Sequence, residues 1–245
     1  MTLSASRVLK AAAIAALLLS VAPVAFAETP AAAKPPADAL SDPSMKGAEV
    51  IAFIGVKPGD RVADIVAGRF VRALSQAVGP KGTVYAVETA EVVKAHPEVM
   101  GMMKGLTALP AYSNVVVSAD PVSTPLPKGL DAVFIRQNYH DLHDKFMGPA
   151  DVAAFNKNVF AALKPGGAYV VLDHGDAVGA GLSHTETLHR IDIATVKAEV
   201  LAAGFKLDAE SALLANPADD HTKMVFDPAV HGKTDQFLLR FKKPG

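Results

Sequence analysis

Five of the eight histidines lie between His140 and His189, and three of these sit among carboxylates in two short stretches. The first is Asn138-Tyr139-His140-Asp141-Leu142-His143-Asp144, and the second is Asp173-His174-Gly175-Asp176. Imidazole titrates near neutrality, so such groups move protons or hold metal ions. His140 is the strongest candidate for a general base. A metal reading draws on His140, His143, Asp144, Asp173 and His174, but no HExxH or HxxxH spacing supports it, so no metal is expected. A histidine at a strand end more often bonds a loop carbonyl, and His143 is read that way. His189-Arg190-Ile191-Asp192 falls in a helical pattern, where Asp192 beside His189 or Arg190 reads as an intrahelical pair or structural latch. His96, His221 and His231 lie in polar, turn-like segments and read as solvated.

Helices alternate with short apolar runs to position these groups. Ser44 to Ile54 has helical spacing, and Lys57-Pro58-Gly59-Asp60 turns the chain into a strand over Arg61 to Val66. Helix is predicted for Val71 to Val78, Glu91 to Leu106, Pro149 to Leu163 and Thr185 to Ala203. Strands are predicted for Thr83 to Val87, Asn114 to Ser118, Leu130 to Ile135, Gly167 to Leu172, Lys206 to Leu213 and Gln236 to Phe241. Lys164-Pro165-Gly166-Gly167 reads as a helix stop. Alternation of this kind predicts a parallel sheet covered on both faces, with ligands at the carboxyl ends of its strands.

The first 27 residues have the order of a cleavable signal peptide: Arg7 and Lys10, an apolar run, then Ala25-Phe26-Ala27. From Ala11 to Ala27 the run is about 17 residues, broken by Ser20 and Pro23, which is short for a membrane span. The expectation is a periplasmic or secreted protein beginning at Glu28, with no stable membrane association once the signal is removed. Residues 28–43 are rich in Ala, Pro, Lys and Asp and read as a flexible leader, so the domain is expected to be 44–245. About 218 residues after the signal suit one α/β domain. The chain has no cysteine and no tryptophan and a formal net charge of −1. Without a Lys/Arg block or a stacking platform, nucleic acid is excluded as an expected partner.

The ordered set VKPGDRVADI, AVGPKGTVYAVE, NYHDLHD, LKPGGAYVVLDH, LHRID, AAGF and TDQFLLRFKKP resembles the class I S-adenosylmethionine-dependent methyltransferases, more narrowly a group of exported predicted methyltransferases. The resemblance covers about Ser44 to Pro244. It implies a Rossmann-like, doubly wound, seven-stranded sheet with the last strand antiparallel. It also implies S-adenosylmethionine as cofactor and a small-molecule acceptor. The matching positions assign Asp64 to the acidic end of the first strand and Gly68 to the loop that lets backbone approach the cofactor. Glu88 would accept the ribose hydroxyls, Asp120 would face the adenine amine, and Asn138 would line the mouth. In that setting His140 would deprotonate the acceptor, with Tyr139 and Asp173 orienting it.

One departure concerns the loop after Asp64, which is about two residues shorter than the family pattern and places Arg69 where a small residue is expected. Its guanidinium would either meet a carboxylate or fill the methionine pocket. The second implied function is therefore a catalytically inactive, methyltransferase-like binding protein of the periplasm. A metal-dependent hydrolase ranks third, because the chain has no nucleophile elbow.

Overall fold

The structure is a computed structural model and describes residues 37–148 and 150–245. The expected signal peptide and most of the leader lie outside the described residues. Packing begins before the expected boundary at Ser44. Asp38 is buried, its carboxylate pairs with Arg72 at 2.8 Å, and the Ala39 amide donates to the Arg69 carbonyl at 2.9 Å. The last residues of the leader thus brace the loop that carries Arg69.

Seven strands form one sheet: β1 (Arg61–Ile65), β2 (Thr83–Thr89), β3 (Val115–Asp120), β4 (Leu130–Arg136), β5 (Leu163–His174), β6 (Lys206–Ser211) and β7 (Gln236–Lys242). Their spatial order is β3-β2-β1-β4-β5-β7-β6, and only β7 runs antiparallel to its neighbours. The expected Rossmann-like, doubly wound, seven-stranded fold is what the chain adopts. Near-continuous apolar runs such as Ala132-Val133-Phe134-Ile135 are buried on both faces, as parallel strands require.

One face of the sheet is covered by α1 (Gly47–Ile54), α2 (Val71–Val78) and α4 (Glu98–Thr107), through Val50, Ile54, Leu74, Val78 and Met103. The other is covered by α3 (Ala90–Ala95), α5 (Val152–Ala162) and α7 (Ile193–Ala202), through Val92, Phe155, Val159, Val196 and Val200. Each such side chain contributes ~1.5–3 kcal/mol of burial. None of the helices among the described residues is long and apolar enough to cross a membrane.

Three expected elements are corrected. The helix over Glu91 to Leu106 divides into α3 and α4 at His96-Pro97, because proline lacks the N–H and disfavours helical geometry in the residue before it. The Lys164-Pro165-Gly166-Gly167 stop does not precede β5 but lies inside it, as an irregularity between the pairings of Leu130 and Ala132. The helix over Thr185 to Ala203 also divides, into α6 (Thr185–Leu188) and α7. His189 adopts left-handed backbone at φ 55°, Ile191 bridges Gly175, and the Asp192 side chain caps α7 through the Ala194 amide. The pairing expected within one helix is therefore replaced by contacts outside it: His189 meets His140, Arg190 pairs with Asp219, and Asp192 accepts from the Gly179 amide.

Candidate active site

The carboxyl ends of β1, β2 and β3 place Asp64, Glu88 and Asp120 side by side. Asp64 is paired in register with Ala86, two residues before Glu88, and Asp120 pairs with Thr89. Glu88 has no exposed surface, and neither of its carboxylate oxygens has a hydrogen-bond partner among the described residues; Asp64 Oδ2 is likewise unpartnered among them. Burial, with the Asp64 charge adding to it, raises Glu88 to about 8. Burial also raises Asp64 to about 7, against the Gly68 amide and the Arg136 guanidinium, which pull it down. Asp120 is exposed and lines a shallow recess of about 360 Å³, open mouth included, with Ile65, Val87, Thr89, Pro121 and Leu126.

The loop after β1 is under backbone strain, since Val66 sits at φ 49°, which costs a β-branched residue on the order of 1–3 kcal/mol. Gly68 is exposed, and a Cβ there would meet nothing within 4 Å, so the loop leaves open space above it. Arg69 is exposed and forms no ion pair with Asp64. The cation that reaches Asp64 is Arg136, at the end of β4. Burial lowers it to about 10; Arg69 adds to that, while Asp64 and Asp173 oppose it, and its guanidinium lies 5.7 Å from the Phe70 ring centre. Asn138 donates from its side chain to the Arg136 carbonyl and is half-buried at the same mouth.

A second group of side chains gathers past β4 and β5. Asp173 is fully buried and accepts from the His140 amide at 2.9 Å and the His174 amide at 2.8 Å, while His140 Nδ1 lies 2.9 Å from it. His140 Nε2 lies 3.1 Å from Asp141 Oδ1 and 3.4 Å from His189 Nδ1. Burial pulls His140 down, but the carboxylates of Asp173 and Asp141 on either side prevail and raise it to about 10. Burial likewise pushes Asp141 up, and the hydrogen bonds from His140 and His189 overcome it to hold Asp141 at about 2. His174 is buried and neutral, lowered to about 3 by desolvation, with Nδ1 on the Thr234 hydroxyl at 2.8 Å.

These contacts correct the expectations for five residues. His140 is not a free base, because both of its ring nitrogens are engaged. Tyr139 does not reach the mouth: its ring is fully buried in the core and its hydroxyl donates to Glu199 and accepts from Asn156, both at 2.8 Å. Asp173 positions His140 and, with no exposed surface, does not face an acceptor. His143 bonds Glu199 rather than a carbonyl, His184 pairs with Asp176 at 2.9 Å, and His221 is half-buried beside Asp235 at 3.2 Å rather than solvated. Three participants had escaped sequence reasoning: Arg136, Asp141 as a partner, and His189 across the mouth. Only the acidic and histidine types of the last two were a usable signal.

No family model and no curated protein sequence matches the chain. Solved structures do. The chain is similar to an S-adenosylmethionine-dependent methyltransferase from Aquifex aeolicus, at 20% identity and a TM-score of 0.58 over 83% of this chain and 94% of that one. The fold is the class I methyltransferase fold. It is also similar to the N-methyltransferase NodS from Bradyrhizobium japonicum, at 14% identity and a TM-score of 0.54 over 83% of this chain and 98% of that one. A third similar structure is a 4+2 cyclase, SpnF, at 19% identity and a TM-score of 0.53 over 82% and 80% of the two chains. Because that scaffold also carries a cyclase, chemistry has to be argued from the site.

Proposed function

We propose that the domain binds S-adenosylmethionine along the crevice of β1, β2 and β3 and transfers its methyl group to a small-molecule acceptor at the ends of β4 and β5. The observation that carries this reading is Glu88, a buried carboxylate with neither oxygen partnered among the described residues. Leaving such a group unsatisfied costs about 1–3 kcal/mol or more, and a vicinal diol supplies the two donors it lacks. Asp64 lies close enough to Glu88 to raise its pKa, and Asp120 edges the recess where an adenine amine would need an acceptor. Arg136 supplies a guanidinium for the carboxylate of the methionine part, and Gly68 leaves room for it. When bound, the cofactor supplies an electrophilic methyl on a sulfonium; the chain holds and orients the partners.

Titration calorimetry with S-adenosylmethionine and its demethylated product, S-adenosylhomocysteine, tests this, and a folded protein giving no heat at millimolar ligand would overturn it. Affinity is expected to rise between pH 6 and 8. Glu88 and Asp64, at about 8 and 7 in the free protein, must ionise to accept the hydroxyls, so binding releases protons. The free protein should move oppositely. Its raised carboxylates bind more protons folded than unfolded, so their contribution is fully present near pH 4 and is lost as pH rises through 7 and 8. A flat affinity profile would count against Glu88 as the diol acceptor.

A second reading, binding without turnover, is favoured by the engagement of both His140 nitrogens. Methyl-labelled cofactor incubated with a pool of small phenols, amines and carboxylic acids separates the two: transferred label supports turnover, and cofactor retained unchanged supports binding alone. We also propose that the protein is exported and matures at Glu28. N-terminal sequencing of the periplasmic fraction is expected to begin at Glu28; recovery of Met1 from membranes would reject this.

A further inference from the structure

The groups past β4 and β5 make a pattern that methyl transfer does not require. One ligand-type atom from each of His140, Asp141, Asp144 and His189 lies within 4.8 Å of the other three. The measured edges are 3.1 Å from His140 Nε2 to Asp141, 3.4 Å from His140 Nε2 to His189 Nδ1, and 3.8 Å from His189 Nδ1 to Asp141. Bonds of about 2.0–2.1 Å to a tetrahedral ion give ligand–ligand separations of roughly 3.4 Å, so three of the four groups already stand at coordination spacing. We propose that His140, Asp141, Asp144 and His189 bind one divalent first-row transition-metal ion of the zinc type.

Three further observations point to a ligand at this place. Asp173 holds His140 Nδ1 at 2.9 Å, so the Nδ1–H donates there and Nε2 faces the centre; carboxylates orient metal-bound histidines in this way. Nε2 and the Asp141 carboxylate, 3.1 Å apart, share the cation that lies between them, a proton in the free protein that the metal ion would displace. Asp144 is 2% exposed, and its Oδ1 has no hydrogen-bond partner among the described residues. A mixed set of two imidazoles and two carboxylates suits zinc, iron(II), cobalt(II) or manganese(II) better than magnesium or calcium, which prefer oxygen alone. The His189 side chain is 28% exposed, which gives the ion a way in.

The site is independent of the cofactor reading, so its test uses metal alone. Untagged protein is stripped with a chelator, freed of it, and titrated with zinc by calorimetry and with cobalt(II) by visible absorption. One equivalent should bind at micromolar or tighter affinity, with a cobalt d–d band for nitrogen and oxygen ligands. His189→Ala and Asp144→Asn should weaken binding by at least tenfold, and Asp173→Asn by about 10–100-fold through loss of orientation. His140 is buried and its variant is prone to misfold, so the partly exposed His189 carries the decisive substitution, with circular dichroism confirming the fold. Absence of heat and colour at millimolar metal in folded protein would show that a proton alone occupies the cluster and would overturn the proposal. So would binding left undiminished in the His189 and Asp144 variants, or magnesium or calcium binding more tightly than zinc.

Discussion

Glu88→Gln is expected to weaken binding of S-adenosylmethionine by about 10–100-fold while raising the melting temperature of the ligand-free protein at pH 8. Both effects come from the same carboxylate. Hydrogen bonds to an ionised group contribute ~1.5–3 kcal/mol, which is one to two decades in affinity, and an amide is uncharged and replaces one acceptor oxygen with an NH2 that only donates. In the free protein no donor among the described residues reaches either oxygen of Glu88, and burial with the nearby Asp64 pushes it up to about 8. At pH 8 and above the folded chain must carry part of that charge at a side chain with no exposed surface, and glutamine removes the charge at nearly unchanged volume. The gain is expected to be ~1–3 kcal/mol, vanishing near pH 5, where Glu88 is protonated in the folded state anyway. Calorimetric titration and thermal melts at pH 5 and 8 check the pair of outcomes. A variant that binds as well as the wild type would remove Glu88 from the ribose position; one that loses stability at pH 8 would show that the carboxylate has a donor in solution.

The two halves of the site were legible to different degrees. Asp64, Glu88 and Asp120 could be placed because a carboxylate closing a β-branched run must sit at a strand's carboxyl end, and sheet order then brings the first three ends together. Arg136 follows the apolar run of β4 in the same way, yet its sequence reads as an ordinary solvated strand end. Only the third dimension puts Asp64 and Asp173 beside it. The stretch from Thr185 to Ala203 misled for another reason. Its apolar spacing continues through Leu188 and Ile191, so periodicity predicts one helix, while the turn at His189 is imposed by contacts far along the chain. His189 meets His140 49 residues away, and Arg190 meets Asp219 29 residues away. A charged residue destined for complete burial leaves no pattern in a periodicity analysis, because its compensation lies in a partner that local sequence does not name. Pro97, by contrast, was a local signal for the break between α3 and α4.

Asp219→Ala is expected to destabilise the domain by ~3–5 kcal/mol, the cost of leaving a buried charge without its partner. Arg190 and Asp219 are both fully buried at the side chain, and the guanidinium makes a two-pronged contact with the carboxylate at 2.8 and 3.1 Å. Arg190 also donates to the Gly175 and Lys223 carbonyls, and Asp219 accepts from the Asp235 and His221 amides, so the pair joins the β5 end, the α6 turn and the loop before β7. Burial pushes Asp219 up, but those amides and Arg190 more than offset it and hold it below the usual carboxylate range. Its contribution is therefore present above about pH 4 and lost as pH falls below that value. For a domain of this size the melting temperature should drop by roughly 6–20 °C at pH 7, and the gap from the wild type should narrow in acid. The double variant Arg190→Met with Asp219→Leu should recover most of the loss, because two apolar side chains of similar volume need no charge compensation. Recovery of stability need not restore the site. Arg190 fixes the turn that presents His189 to His140 and Asp141, so the double variant is expected to remain folded and yet bind cobalt(II) more weakly than wild type. A double variant as unstable as Asp219→Ala would mean that the carbonyl contacts of Arg190, rather than the ion pair, hold this corner together.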